Sequence, residues 1–219
     1  MNSPPVFASG HAIRTPINQV LRNTYMLLGL TLVAGAIAAY VAMSTGAGII
    51  NWWLYLGFAI AMPYVIHATR NSVWGIVSSF VYAAGLGYIA GPIISMYSRT
   101  LGIHIPIYAF TATATIFLGL TGYAMATKRD FSFMRGFMFA GGLAVLLAIV
   151  ANMFLHIPLL SVTISTVGVL LCSAGILYST SAAINGGEDN YIVLASDIYG
   201  SLWALFMNLM NILGFFSGD

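Results

Sequence analysis

Polar side chains recur along the last apolar segment of the chain at the spacing of one helix face. Steps of 7, 4, 7 and 3 residues superimpose them on one side of an α-helix. The members of this stripe are Asn190, Asp197, Ser201, Asn208 and Asn211. Carboxylate, hydroxyl and amide oxygens coordinate cations or form hydrogen bonds with one another. The stripe therefore predicts either an ion path or a polar core.

The helix that carries this stripe must lie in a membrane, because the composition provides no water-soluble surface. Of the 219 residues, 60% are hydrophobic and 5% are charged, whereas roughly a quarter of the residues in a soluble domain are charged. No charged residue occurs from Asn23 to Thr69 or from Gly136 to Gly187. Each stretch can hold two spans of about 20 residues. We therefore predict an all-α integral membrane protein surrounded by lipid.

Apolar segments separated by short polar or turn-forming breaks predict seven transmembrane helices. The segments are Thr24–Met43, Trp52–Ile66, Trp74–Met96, Ile107–Ala126, Phe133–Leu155, Leu159–Ile184 and Tyr191–Phe216. The second is the shortest, against the roughly 20 residues that a span needs. No break is long enough to hold a further domain, so residues 23–219 are predicted to form one membrane domain after a tail of residues 1–22.

Basic residues are distributed unevenly among the predicted loops. With the N-terminus inside, six of the seven basic residues face the cytoplasm and Arg99 lies outside. The six are Arg14, Arg22, Arg70, Lys128, Arg129 and Arg135. Because cytoplasmic loops retain lysine and arginine, this distribution predicts a cytoplasmic N-terminus and a periplasmic C-terminus.

The depth of Asp197 makes it a candidate functional residue. A polar stripe cannot face lipid cheaply, so the seventh helix is predicted to be central and enclosed by the others. Asp197 lies about six residues inside this helix. A carboxylate at that depth is expected to pair with another group, such as a cation. Arg70, at the cytoplasmic end of the second segment, is the nearest cation expected. The alternative is that Asp197 reaches the interface or is hydrogen-bonded by its neighbours.

The sixth segment carries a second stripe, which consists of small residues. Steps of 4, 3, 4, 3 and 4 residues place them on one narrow helix face. The members are Ser161, Ser165, Gly168, Cys172, Gly175 and Ser179. Small residues allow helices in lipid to approach closely, so this face is predicted to be a packing seam.

Known catalytic and cofactor-binding patterns do not occur in the sequence. There is no His-Glu-x-x-His helix, no Gly-x-Ser-x-Gly turn, no glycine-rich phosphate loop and no pair of intramembrane aspartates. The histidines, scattered over the tail and three loops, are His11, His67, His104 and His156. We therefore expect no enzyme, metal or cofactor. The basic residues form no run of the kind that binds nucleic acid.

Several segments carry a family resemblance that covers nearly the whole chain. They are Leu21-Arg22-Asn23-Thr24-Tyr25, Gly87-Tyr88-Ile89-Ala90-Gly91-Pro92-Ile93, Thr127-Lys128-Arg129-Asp130-Phe131-Ser132-Phe133, Asn185-Gly186-Gly187-Glu188-Asp189-Asn190-Tyr191-Ile192 and Ile212-Leu213-Gly214-Phe215. In this order they resemble the transmembrane Bax-inhibitor motif family, in its bacterial YccA-type branch. The resemblance implies six helices around a central seventh, in agreement with an enclosed polar stripe.

The resemblance also implies a partner. Members of this branch bind FtsH, an ATP-dependent protease of the bacterial inner membrane, and restrain its degradation of membrane proteins. The protease would engage the cytoplasmic tail, which contains Arg14, Thr15, Pro16 and Arg22. Thr15 and Pro16 favour a helix start, with threonine as the cap. An apolar face through Val20 would then lie on the membrane surface or a partner, unless this segment is a simple lead-in to the first span.

Other branches of the family are pH-sensitive calcium leak channels, gated by two aspartates on the sixth and seventh helices beside an arginine. The corresponding segments here are Tyr178-Ser179-Thr180 and Ile198-Tyr199-Gly200-Ser201, so Ser179 and Ser201 occupy the gate positions. Serine does not titrate near neutral pH, and Asp197 alone cannot form a like-charge pair. Modulation of FtsH is therefore the predicted function, and a calcium or cation leak is the alternative.

Overall fold

A computed structural model describes residues 17–49 and 51–218, and the regular elements in that part are all α-helices. The helices are α1 (Ile17–Ser44), α2 (Trp52–Thr69), α3 (Val73–Thr100), α4 (His104–Thr127), α5 (Met134–Leu155), α6 (Pro158–Asn185) and α7 (Tyr191–Ser217). Each predicted segment lies within one helix, apart from Phe133, which immediately precedes α5. The predicted all-α fold with seven helices is confirmed.

The lengths of the helices match a membrane. Among the described residues, α1 and α3 to α7 are long and apolar enough to cross one. The shorter α2 has 18 residues, which corresponds to about 27 Å at 1.5 Å per residue. That is slightly less than the roughly 30 Å of a bilayer's hydrocarbon core. It agrees with the expectation that the second span is the shortest.

The first helix extends beyond the apolar segment that predicted it. It is already helical at Ile17, the first residue that the structure describes. Val20 is buried and packs with Ala183 of α6 and Leu194 of α7. The apolar face through Val20 was predicted to lie on the membrane surface or on a partner. At Val20 it packs against the bundle itself.

The central position predicted for the seventh helix is confirmed. Among the described residues, α7 packs against α1, α2, α3, α4 and α6, and its Leu194, Ile198, Leu205 and Met210 are almost fully buried. In the same part of the chain α5 contacts α6 alone, and none of its residues is buried. In the described part of the chain five helices therefore surround α7, rather than the six that the resemblance implied, because α5 packs on α6 outside them.

Two local signals fix where α7 begins. Gly186 ends α6 with a φ of 72°, in the left-handed region that favours glycine. Asn190 then caps α7, because its side chain accepts hydrogen bonds from the backbone N–H groups of Ile192 and Val193 at 3.0 and 3.3 Å. The start of α7 sets the depth of Asp197 in the bundle.

Helices α1 and α3 approach each other through small residues. A Cβ atom on Gly87 would overlap the carbonyl oxygen of Gly35, and one on Gly91 would lie 2.6 Å from the carbonyl oxygen of Ala39. Small residues one turn apart on both helices are typical of close packing in lipid. This α1–α3 seam holds the first helix firmly against the bundle.

Candidate functional site

The polar stripe of α7 faces the small-residue stripe of α6. The hydroxyls of Ser161 and Ser165 donate to Oδ1 of Asn211 at 3.4 and 3.2 Å. Further along, a Cβ on Gly168 would lie 2.7 Å from the side-chain nitrogen of Asn208. At this end of the stripe, the small residues of α6 make room for the amides of α7.

Asn208 is bonded to its own helix as well as packed on α6. Its Nδ2 donates to the backbone oxygen of Ala204 at 2.8 Å. Asn208 and Asn211 therefore both lie in the interface between α6 and α7. They belong to a polar core in this structure.

Two other members of the stripe, Asp197 and Ser201, line a cavity of about 420 Å³. The cavity lies between α2 and α6, with α7 as its floor. Its lining combines polar and apolar side chains. They are Pro63, Ile66, His67, Tyr82, Met138, Leu171, Cys172, Gly175, Tyr178, Ser179, Ser196, Asp197, Gly200, Ser201 and Ala204.

Three predicted site residues meet at this cavity. Asp197, Ser201 and Ser179 all line it, and Ser179 is only 4% exposed. Within the described part of the chain, none of these three side chains has a hydrogen bond or ion pair. Ser196 differs, because its hydroxyl is bonded to that of Ser79 at 2.9 Å.

Arg70 does not pair with Asp197. Its Nη1 lies 3.4 Å from Oε2 of Glu188, and this is the ion pair that the described residues form. Glu188 lies in the α6–α7 loop, at the same end of the bundle as Arg70, whereas Asp197 is about two turns inside α7. An ion pair at the interface avoids the desolvation cost of moving a guanidinium to the depth of Asp197.

Asn190 belongs to the same loop cluster rather than to the cavity. Besides capping α7, its Nδ2 donates to the backbone oxygen of Arg70 at 2.9 Å and to Oδ1 of Asn71 at 3.3 Å. The α2–α3 connection is thereby attached to the start of α7. The α4–α5 connection is attached to the end of α6, because the Ser181 hydroxyl donates to the backbone oxygen of Arg129 at 2.9 Å.

The structure describes only part of the predicted tail site. Arg14, Thr15 and Pro16 lie outside the described residues, whereas Arg22 is described and its side chain is exposed on α1. Arg22 lies two residues after the buried Val20. The bundle therefore presents this arginine at the end where the α2–α3 and α6–α7 loops meet.

Sequence reasoning assigned no role to several residues of the cavity. Tyr82 and Tyr178 line it, and Tyr82 also packs edge-on against Tyr199 with ring centroids 6.1 Å apart. His67 stands at the loop end of α2 and is exposed. These residues lie on four different helices, so no spacing along one helix could have grouped them. Among the described residues, no three His, Cys, Asp or Glu side chains are placed to hold a metal.

The family follows from a comparison of the whole chain. The profile of the family described as inhibitor of apoptosis-promoting Bax1 matches residues 17–218. This chain belongs to the Bax inhibitor family. The resemblance indicated by the sequence motifs is thereby confirmed, and the chain is a multi-pass membrane protein of this family.

Close relatives come from several bacteria. A protein of Escherichia coli K12 named modulator of FtsH protease YccA is 41% identical over 206 residues, which are 92% of each chain. A protein of E. coli O6:H1 named inner membrane protein YccA gives the same values. An uncharacterised protein of Pseudomonas aeruginosa is 39% identical over 212 residues, 96% of each chain.

In this Bax inhibitor family protein, the two serines at the expected gate positions line one cavity together with Asp197. The geometry therefore brings together the two residues predicted at the gate positions, with one carboxylate, that of Asp197, beside them. That arrangement can accept hydrogen bonds and bind one positive charge.

Proposed function

We propose that this protein is a modulator of the membrane protease FtsH that restrains the degradation of membrane proteins. The observation that carries the proposal is the 41% identity, over 92% of both chains, to the E. coli protein named modulator of FtsH protease. Because the match covers 92% of both chains, it supports a shared role of the whole domain.

The protein acts in this proposal by binding rather than by catalysis. Its N-terminal tail lies in the cytoplasm, where the protease engages it, and its C-terminus lies in the periplasm. The clustering of the loops that hold Arg70 and Arg129 supports this orientation, because basic loops remain on the cytoplasmic side. The bacterial inner membrane is the proposed location.

The packing of α1 suggests how such a protein restrains the protease. A protease that pulls on the tail must first remove α1 from the bundle. Thr24, Leu27 and Leu28 of α1 are buried. At Gly35 and Gly87 the backbones of α1 and α3 pack so closely that no side chain fits between them. Slow extraction of α1 would keep the protease occupied and spare other membrane proteins.

Co-purification with a proteolytically inactive FtsH in native detergent tests the proposal. The full-length protein should be retained, and a variant without residues 1–16 should be retained much less, because the protease engages the tail. An unrelated polytopic protein at equal expression serves as the control. Overexpression of the full-length protein should also lengthen the half-life of an FtsH membrane substrate. Neither retention nor a longer half-life would be seen if the proposal is wrong.

The calcium-leak alternative gains less support from the geometry. Calcium takes six to eight oxygen ligands, usually with several carboxylates, and Asp197 is the one carboxylate that lines the cavity. Beyond the cavity, the remaining stripe residues Asn208 and Asn211 are packed against α6. Calcium flux into dye-loaded proteoliposomes, with Asp197→Asn as the comparison, is the direct test of this alternative.

A further inference from the structure

The cavity between α2, α6 and α7 contains an unusual set of unpaired polar groups. The carboxylate of Asp197 and the hydroxyls of Ser179 and Ser201 line it, and none of them is hydrogen-bonded within the described residues. Ser179 is 4% exposed, but its hydroxyl is not among the fully buried side-chain atoms of the described residues that lack a partner, so the cavity reaches it. These three groups are therefore arranged to bond with something that enters the cavity.

We propose that this cavity binds a protonated primary amine on a short aliphatic chain. A primary ammonium carries three N–H donors, no acceptor and one positive charge. The cavity supplies three acceptor groups, and the carboxyl group of Asp197, when ionised, carries the matching negative charge. Asp197 and Ser201 lie one turn apart on α7, and Ser179 faces them from α6, so the acceptors come from two helices.

The remainder of the lining suits an alkyl chain. Pro63, Ile66, Met138 and Leu171 present apolar surface around the polar groups. The rings of Tyr82 and Tyr178 also line the cavity, and aromatic faces attract ammonium groups. A volume of about 420 Å³ lies at the lower end of the roughly 300–1,000 Å³ of small-molecule sites. Six or seven heavy atoms at roughly 30 Å³ each would fit within it.

Other classes of ligand fit the cavity less well. An anion would be repelled by Asp197, and a neutral ligand would leave that charge without a counterion. A divalent metal ion needs more oxygen ligands than one carboxylate and two hydroxyls. The protein's own nearby cation does not compete, because Arg70 is paired with Glu188.

The full-length protein in phosphatidylcholine nanodiscs allows a direct test by isothermal titration calorimetry, with empty nanodiscs subtracted. We expect n-hexylammonium to bind saturably and at least tenfold more tightly than 1-hexanol, which has the same chain and no charge. Asp197→Asn should weaken hexylammonium binding at least tenfold. Thr163→Ala, on α6 but outside the cavity and with its hydroxyl bonded to Leu159 of its own helix, should leave it unchanged.

The double variant Ser179→Ala, Ser201→Ala provides a second test that retains the carboxylate, and it should weaken binding several-fold. Size-exclusion profiles and helical circular dichroism establish that each variant is folded. Equal affinity for hexanol and hexylammonium, or unaltered binding to both the Asp197 and the serine variants, would overturn the proposal. Tighter binding of Ca²⁺ than of hexylammonium, with displacement of the amine, would also overturn it.

The amine could come from a free metabolite or from a lipid headgroup, and the nanodisc composition distinguishes the two. If phosphatidylethanolamine in the nanodisc weakens hexylammonium binding to the unaltered protein, the headgroup is the natural source. If it does not, the source is a free amine. Both outcomes keep the same ammonium chemistry at Asp197.

Discussion

The side-chain oxygen of Asn211 lies 3.2 Å from the hydroxyl of Ser165, and this bond sets the register of α7 against α6. From this point the two helices run side by side, with Gly168 opposite Asn208 and Gly175 opposite Ser201. Small residues on one helix thus receive polar side chains of the other. The register brings Ser179 to the same cavity as Asp197.

Replacement of Asn211 by leucine should destabilise the bundle by about 1 kcal/mol. Leucine has the same branching at Cγ but cannot accept the bonds from Ser161 and Ser165, and an interhelical hydrogen bond in lipid contributes about 0.6 kcal/mol on average. Unfolding in mixed micelles with increasing sodium dodecyl sulfate, followed by circular dichroism, measures the change.

Thr163→Ala is the matched control for Asn211→Leu. Thr163 is exposed on α6, and its hydroxyl bonds to the backbone oxygen of Leu159 within its own helix. The control should change the unfolding free energy by less than about 0.5 kcal/mol. An Asn211 variant that is no less stable than this control would show that the bonds to α6 contribute nothing.

The α1–α3 seam predicts a large effect from a single methyl group. Gly87→Ala would force a Cβ into the carbonyl oxygen of Gly35, and overpacking of this kind costs about 1–3 kcal/mol. Gly29→Ala in α1 is the control, because nothing lies within 4 Å of a Cβ there. The control should be neutral or slightly stabilising, since alanine favours helix more than glycine does. Equal unfolding midpoints for the two variants would contradict the close packing of α1 against α3 at Gly87.

Much of the fold is predictable from the sequence because membrane helices are encoded locally. About 20 apolar residues suffice to mark a span, and the predicted segments are confirmed as helices. The spacing of the polar residues on α7 and of the small residues on α6 also predicted the faces that carry them. These are properties of one helix at a time.

The contacts between helices are less predictable, because they depend on register and tilt. Arg70 was expected to pair with Asp197, but Glu188 is nearer in space and closer to water. The cavity depends on how α2 and α6 are placed around α7, which no spacing along one helix encodes. The position of α5 outside the helices that touch α7 is likewise a property of the assembled bundle.

Asn190 should matter more than an ordinary helix cap. Asn190→Ala removes two bonds to the first turn of α7 and two to the α2–α3 connection. A cap alone contributes about 0.5–2 kcal/mol, so we expect a loss near the upper end of that range. Asn190→Ser can still cap the helix but has no amide to donate. Its unfolding free energy should therefore lie between those of the unaltered protein and Asn190→Ala.

Asn51→Ala provides the comparison for Asn190, since Asn51 caps α2 through one bond to the N–H of Trp53 at 2.9 Å. Its loss should be about 1 kcal/mol or less. Both unfolding free energies come from the same detergent titration. A larger loss at Asn51 than at Asn190 would contradict the view that Asn190 joins two loops.

The proposed orientation predicts opposite accessibility for the two ends of α4. Thr127 ends the helix near the basic loop, and Ile103 precedes it at the other end; both are exposed. In a Cys172→Ser background, which removes the chain's single cysteine, each position is changed to cysteine in turn. A membrane-impermeant maleimide added to spheroplasts should label Ile103→Cys at once and Thr127→Cys only after lysis, because basic loops remain in the cytoplasm. The reverse pattern would invert the proposed topology and place the tail beyond the reach of a cytoplasmic protease, whereas labelling of both positions in intact spheroplasts would mean that α4 does not cross the membrane.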